Sequence, residues 1–121
     1  MKYLCLVYVE EKIVNEMARE ESDRFIDEHL VLRNELEDSG HSIAAEALQP
    51  VQCATTIRLR KSKISITDGP FAETKEQLAG FYFIEALDLN EAIQIATRIP
   101  SAGIGSIEVR PIRDLVGGRQ R

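Results

Sequence analysis

Residues 2–9 read as a strand in which both alternating sets of side chains are apolar. Tyr3, Cys5, Val7 and Val9 point one way, and Leu4, Leu6 and Tyr8 the other. A strand of this kind is expected in the middle of a sheet, covered on both faces. A charged segment follows, and then a helix that runs to about Ser39. Phe25, His29, Leu32 and Leu36 form its stripe, flanked by Ile26 and Leu30, at the spacing of one helical face. Glu20, Glu21, Asp23, Asp27, Glu28, Glu35 and Glu37 are expected mostly in water, and Gly40 is a natural stop.

From Ala54 to Asp68 the period is two again. Ile57 and Leu59 alternate with Arg58 and Arg60, and Ile64 and Ile66 with Ser65 and Thr67. A hairpin turning around Lys61-Ser62-Lys63 is predicted, with its apolar face packed and its polar face in water. Residues 81–86 read as another strand. Asp88-Leu89-Asn90-Glu91 matches a capping box opening a second helix, with Leu89, Ala92, Ile93, Ala96 and Ile99 on one side and Pro100 as its stop. A last strand spans residues 106–112, with Ile107 and Val109 facing in. The order strand, helix, hairpin, strand, helix, strand predicts an α+β fold, simplest as a ferredoxin-like core with an inserted hairpin and helices on one face of an antiparallel sheet. The apolar surface of Tyr3, Cys5, Val7, Phe81 and Phe83 exceeds what two helices need. A second copy packing sheet to sheet is therefore expected.

Composition narrows the function. The 121 residues fit one domain over residues 1–121, and the net charge of -5 argues against direct nucleic-acid binding. The basic clusters are short: Arg58, Arg60, Lys61 and Lys63, then Arg119 and Arg121. No apolar run approaches the roughly 20 residues of a membrane span. Glu10-Glu11-Lys12 follows the apolar start where a leader would have a cleavage site. A cytoplasmic protein with two buried thiols, Cys5 and Cys53, is the expectation.

The densest chemistry lies in Thr67-Asp68-Gly69-Pro70-Phe71-Ala72-Glu73-Thr74-Lys75-Glu76. Gly69 permits backbone conformations closed to other residues and Pro70 fixes the next φ, so the turn aims the Asp68 carboxylate. Thr74-Lys75-Glu76-Gln77 fits a capping box, and a helical turn there would offer free N–H groups to an anion. The same geometry also makes a good turn with Asp68 bonded to nearby backbone. His29, on the buried stripe, is a candidate general base or a core residue satisfied by one hydrogen bond. His41 follows Gly40 in a loop expected to be exposed. Tyr8 and Tyr82 bring hydroxyls from strands, Lys75 and Arg110 could neutralise an acidic ligand, and Phe71 could anchor a partner. The histidines and cysteines have no ligand spacing, so no metal is expected. No cofactor is expected either: Gly103-Ile104-Gly105 and Gly117-Gly118 are too sparse for a phosphate loop, and there is no serine nucleophile elbow.

Several segments carry a family resemblance. They are Met1-Lys2-Tyr3-Leu4 with Val7-Tyr8, Ala47-Leu48-Gln49-Pro50, Ala54-Thr55-Thr56-Ile57-Arg58, the run from Thr67 to Tyr82, Asp88-Leu89-Asn90-Glu91-Ala92, and Ser106-Ile107-Glu108-Val109-Arg110-Pro111-Ile112. Through them the chain resembles the YCII-related family, in the subgroup named for its Asp-Gly-Pro-Phe (DGPF) motif. The resemblance implies a ferredoxin-like fold paired into a dimeric α/β barrel and no established reaction. Shorter relatives carry a His and an Asp proposed as an active-site pair; His29-Leu30 resembles the position of the first, and Asp68 stands in for the second. Subgroup members are often encoded beside extracytoplasmic-function sigma factors, which implies a regulatory link without direct DNA contact. Two functions follow. One is an enzyme acting on a small, apolar or aromatic organic acid through a His29/Asp68 acid-base pair. The other is a ligand-sensing or partner-binding module addressing a regulatory protein.

Overall fold

The computed structural model describes residues 1–115. Arg119, Arg121 and the Gly117-Gly118 pair lie outside the described residues. Strand β1 (Lys2–Val9) leads to a short helix α1 (Glu11–Asn15) and the long α2 (Arg19–Asp38). Then come β2 (Ser42–Ala47), β3 (Thr55–Arg60), β4 (Lys63–Asp68), β5 (Gln77–Glu85), α3 (Leu89–Thr97) and β6 (Ser106–Pro111). Four strands form an antiparallel sheet in the order β2-β5-β1-β6. With β3 and β4 set aside as their own two-stranded unit, this is a βαββαβ arrangement consistent with a ferredoxin-like fold.

β1 is central, as its two apolar faces imply. Tyr3, Cys5, Val7 and Val9 are buried with Tyr82 and Ile84 of β5, Leu32 and Leu36 of α2, and Ala92, Ile95 and Ala96 of α3. The opposite face carries Leu4, Leu6, Phe81 and Phe83, all half-exposed. The capping box at α3 is real in a modified form. The Asp88 carboxylate accepts from the Glu91 N–H at 2.9 Å, while Glu91 reaches back to the Leu87 N–H at 3.0 Å.

Several expectations are corrected. β2 has no strand signature, because Ser-Ile-Ala-Ala-Glu-Ala is poor in β-branched residues; pairing with β5 makes it a strand. Ile95, not Ile93, completes the buried face of α3, and Leu89 and Ile93 are exposed. Thr74 opens no helix. The Gln77 side chain donates to the Thr74 carbonyl at 2.6 Å and the chain enters β5 directly. Cys53 lies in a 3-10 turn and is exposed, leaving Cys5 as the buried thiol. His41 is half-buried, with its ring 2.7 Å from the Ser39 hydroxyl and 3.3 Å from the Glu91 carboxylate.

The β3–β4 hairpin forms as expected, but its faces are reversed. Ile57 opposes Ile66 and Leu59 opposes Ile64, and all four are exposed. The polar face instead holds the following loop: Thr56 donates to the Gly69 carbonyl at 2.8 Å and Arg58 to that of Phe71 at 3.3 Å. Lys61 and Ser62 at the tip both have positive φ, the backbone of a two-residue turn that matches strand twist.

Candidate functional site

A cavity of about 260 Å³ lies between α2 and the inner face of the sheet. Val7 and Val9 of β1, Ala45 and Ala47 of β2, and Ala79 of β5 form its floor, and Phe25, Ile26 and Leu30 of α2 its roof. Small residues on β2 and its neighbour β5 leave this space. Ala79 is the extra residue of a bulge, because Val7 pairs with Gly80 while Tyr8 pairs with Leu78. Gly80 lets β2 approach closely, since a Cβ there would come within 2.6 Å of the Glu46 carbonyl oxygen. Val14 of α1 lines one end. α1 is tied down by Glu11, whose N–H donates to the Gln77 side chain at 2.8 Å and whose carboxylate accepts from the Val51 N–H at 3.0 Å.

His29 is the chemical centre of the cavity. The stripe of α2 turns it toward the sheet, where Nδ1 lies 2.6 Å from the Tyr82 hydroxyl and Nε2 lies 2.8 Å from the Ser101 hydroxyl. Phe25, one turn earlier, meets the imidazole edge-on with ring centroids 4.9 Å apart. Ser101 is only 2% exposed, in the 3-10 turn Pro100–Gly103, and its carbonyl accepts from the Gly105 N–H at 2.8 Å. Its backbone is thus held in place, with the hydroxyl at the Nε2 edge of the ring.

Burial lowers the His29 pKa below the ordinary histidine value, against a smaller opposing push from the Glu28 carboxylate. Burial also raises the Tyr82 phenol to about 12, with Arg33 lowering it in part. At neutral pH the ring is therefore neutral and the phenol protonated. A neutral imidazole donates at one nitrogen and accepts at the other. Two proton placements satisfy the chain. In one, Tyr82 donates to Nδ1 and Nε2–H donates to Ser101. In the other, Ser101 donates to Nε2 and Nδ1–H donates to Tyr82, whose own proton is then free to enter the cavity. The two placements differ in which ring nitrogen carries the proton and in whether the Tyr82 hydroxyl donates to the ring or into the cavity. Arg33 lies at the cavity's edge, half-exposed, held loosely by Glu37 at 3.4 Å and Glu46 at 3.9 Å.

Of the residues expected from the sequence, His29 and Tyr82 meet here. Asp68 does not join them: it is exposed at the end of β4, and it is neither a lining residue of the cavity nor a partner of His29. Tyr8 and Arg110 lie on the opposite face of the sheet, where the Tyr8 hydroxyl donates to Glu108 at 3.3 Å. Phe71 and Lys75 are exposed in the loop before β5. Ser101 and Arg33 were missed. Ser101 is 72 residues from His29 and belongs to no motif, and Arg33 reads as an ordinary surface position one turn after His29. Among the described residues no group of three or more His, Cys, Asp and Glu side chains is placed to hold a metal. Among them no helix is long and apolar enough to cross a membrane.

These features define a class: a small antiparallel α+β domain with an apolar cavity and one histidine bonded at both nitrogens between sheet and long helix. The chain matches the YCII-related domain over residues 1–116 and belongs to the YCII-related family. It is 35% identical over 114 residues to an uncharacterised protein of Rhizobium meliloti (strain 1021), a match covering 93% of this chain and 92% of that protein.

Proposed function

We propose that the cavity binds a small, largely apolar organic acid and that His29, working with Tyr82 and Ser101, moves one proton of that ligand. The observation that carries this is the imidazole held at both nitrogens, 2.6 Å and 2.8 Å from its partners, at the wall of a largely apolar cavity with Arg33 and Glu46 also on its lining. A core histidine needs only to be satisfied. This one is kept neutral by burial and faces a space that could admit a ligand. The walls select an apolar body, and Arg33 supplies a cation whose present partners are distant enough for a carboxylate to compete. Tyr82 presents the proton, His29 stores it and Ser101 sets the tautomer. This replaces a His29/Asp68 pair, because within one chain Asp68 does not reach the ring.

The test uses a panel of small branched and aromatic carboxylic acids. Binding is read from thermal shifts, and proton transfer from exchange of the acids' α-hydrogens with D₂O. Exchange by the natural chain that is lost in His29→Gln and reduced in Tyr82→Phe is the expected result. No binding by any acid, or exchange unaffected by His29→Gln, overturns it.

We further place the chain in the Asp-Gly-Pro-Phe subgroup, as a cytoplasmic homodimer paired through the sheet face of Leu4, Leu6, Phe81 and Phe83. The half-exposure of that face supports the pairing, and the free thiols Cys5 and Cys53 support a reducing compartment. A second reading draws on Phe71, 79% exposed in the loop between Asp68 and Lys75. There the loop is a recognition surface for a regulatory protein such as a neighbouring sigma factor. Co-purification that Phe71→Ser abolishes, without exchange activity, favours it over catalysis.

A further inference from the structure

Beyond the cavity, we propose that the β3–β4 hairpin is an arm that clasps a second copy of this chain. A two-stranded hairpin is marginal by itself in water and needs its apolar face covered. Here Ile57, Leu59, Ile64 and Ile66 form one continuous strip and are 67%, 61%, 70% and 67% exposed. The polar face is already occupied by the loop from Gly69 to Phe71, so the strip cannot turn inward without breaking those bonds.

Area and charge both point to a second copy. Four aliphatic side chains this exposed present on the order of 400 Å² of apolar surface, the size at which the largest patch on a monomer is often functional. A two-fold interface uses each arm once, and each arm buries a similar area on what it covers. The total then comes to roughly 1,600 Å², a standard stable interface. The arm carries Arg58, Arg60, Lys61 and Lys63 against the single acid Asp68, so its net charge is +3. The whole chain is -5, which leaves -8 for the rest. Arm against arm would set like charges together, whereas arm against body joins opposite ones.

The inference rests on the homodimer proposed above and is independent of the cavity's chemistry. Two measurements on the full chain test it. Sedimentation velocity from low to high micromolar concentration reads the dimer. Hydrogen exchange at both ends of that range reads the arm. The expected result is a dimer in which the amides of residues 55–68 are protected at least about tenfold more than in the dilute protein. The double variant Ile57→Ser/Ile66→Ser should weaken dimerisation about 100-fold or more, with the circular dichroism of α2 and the sheet retained. A monomer at every concentration overturns both the homodimer and the arm. A dimer whose arm amides exchange equally fast at both concentrations, or one that the double variant leaves unchanged, overturns the arm and leaves the sheet-paired dimer standing.

Discussion

Ser101→Ala and Tyr82→Phe, singly and together, probe the histidine relay through stability alone. Ser101→Ala removes the 2.8 Å contact to His29 Nε2 at a position only 2% exposed. A lost hydrogen bond costs about 1 kcal/mol, and leaving a buried nitrogen without a partner brings the cost to about 1–3 kcal/mol. Tyr82→Phe removes the 2.6 Å contact to Nδ1 on the cavity side. Water can replace the phenol there, so about 1 kcal/mol is expected. The two losses should not add. Each partner polarises the ring toward the other, so removing one weakens what the second had to lose. The double variant should be less destabilised than the sum, by about 0.5 kcal/mol or more. Urea unfolding monitored by circular dichroism, with unchanged m-values, measures all four corners. Nitrogen chemical shifts of the imidazole report the tautomer in each. Additivity within about 0.3 kcal/mol, or a neutral Ser101→Ala, would show that the three groups do not act as one chain.

Acid should destabilise the fold through His29. Its folded pKa is depressed, so as pH falls the unfolded chain takes up the proton first; the contribution is complete above about 6.5 and is lost as pH drops through that value toward the lower folded one. His29→Gln should flatten the decline in urea midpoint between about pH 7.5 and 5.5, and equal slopes would contradict the assignment. Gly105→Ala should cost about 2–4 kcal/mol, because its Cβ would run into the Tyr8 carbonyl and β6 would have to shift; a thermal midpoint within a degree or two of the natural one counts against this. Burial pushes the Cys5 thiol up to about 11, whereas Cys53 is exposed. A thiol reagent at neutral pH should therefore modify one cysteine in the folded protein and the second only on unfolding.

Much of the core was legible because its periodicity is set by burial. The two faces of β1, the stripe that turns His29 inward and the Asp88 cap each follow from local rules. What escaped depends on partners distant in the chain. β2 is a strand because β5 offers it hydrogen bonds, against the helical preference of its alanines. The alternation in β3 and β4 predicted a hairpin but could not say that its apolar side turns away from the body. In the site, Tyr82 was visible as one of several strand tyrosines, whereas Ser101 became significant only when the turn after α3 placed it against Nε2 of the ring. Asp68 stands in the most distinctive stretch of the chain, yet it belongs to the arm and not to the cavity.

The most direct test of the central proposal is a titration of the natural chain with the small carboxylic acids, followed by NMR of the His29 ring nitrogens and the cavity methyls of Val7, Val9 and Leu30. The account predicts that at least one acid shifts both sets together, with the same dissociation constant, and that His29→Gln removes the ring response while the methyls still report binding. Methyl and ring signals that stay fixed for every acid would contradict it.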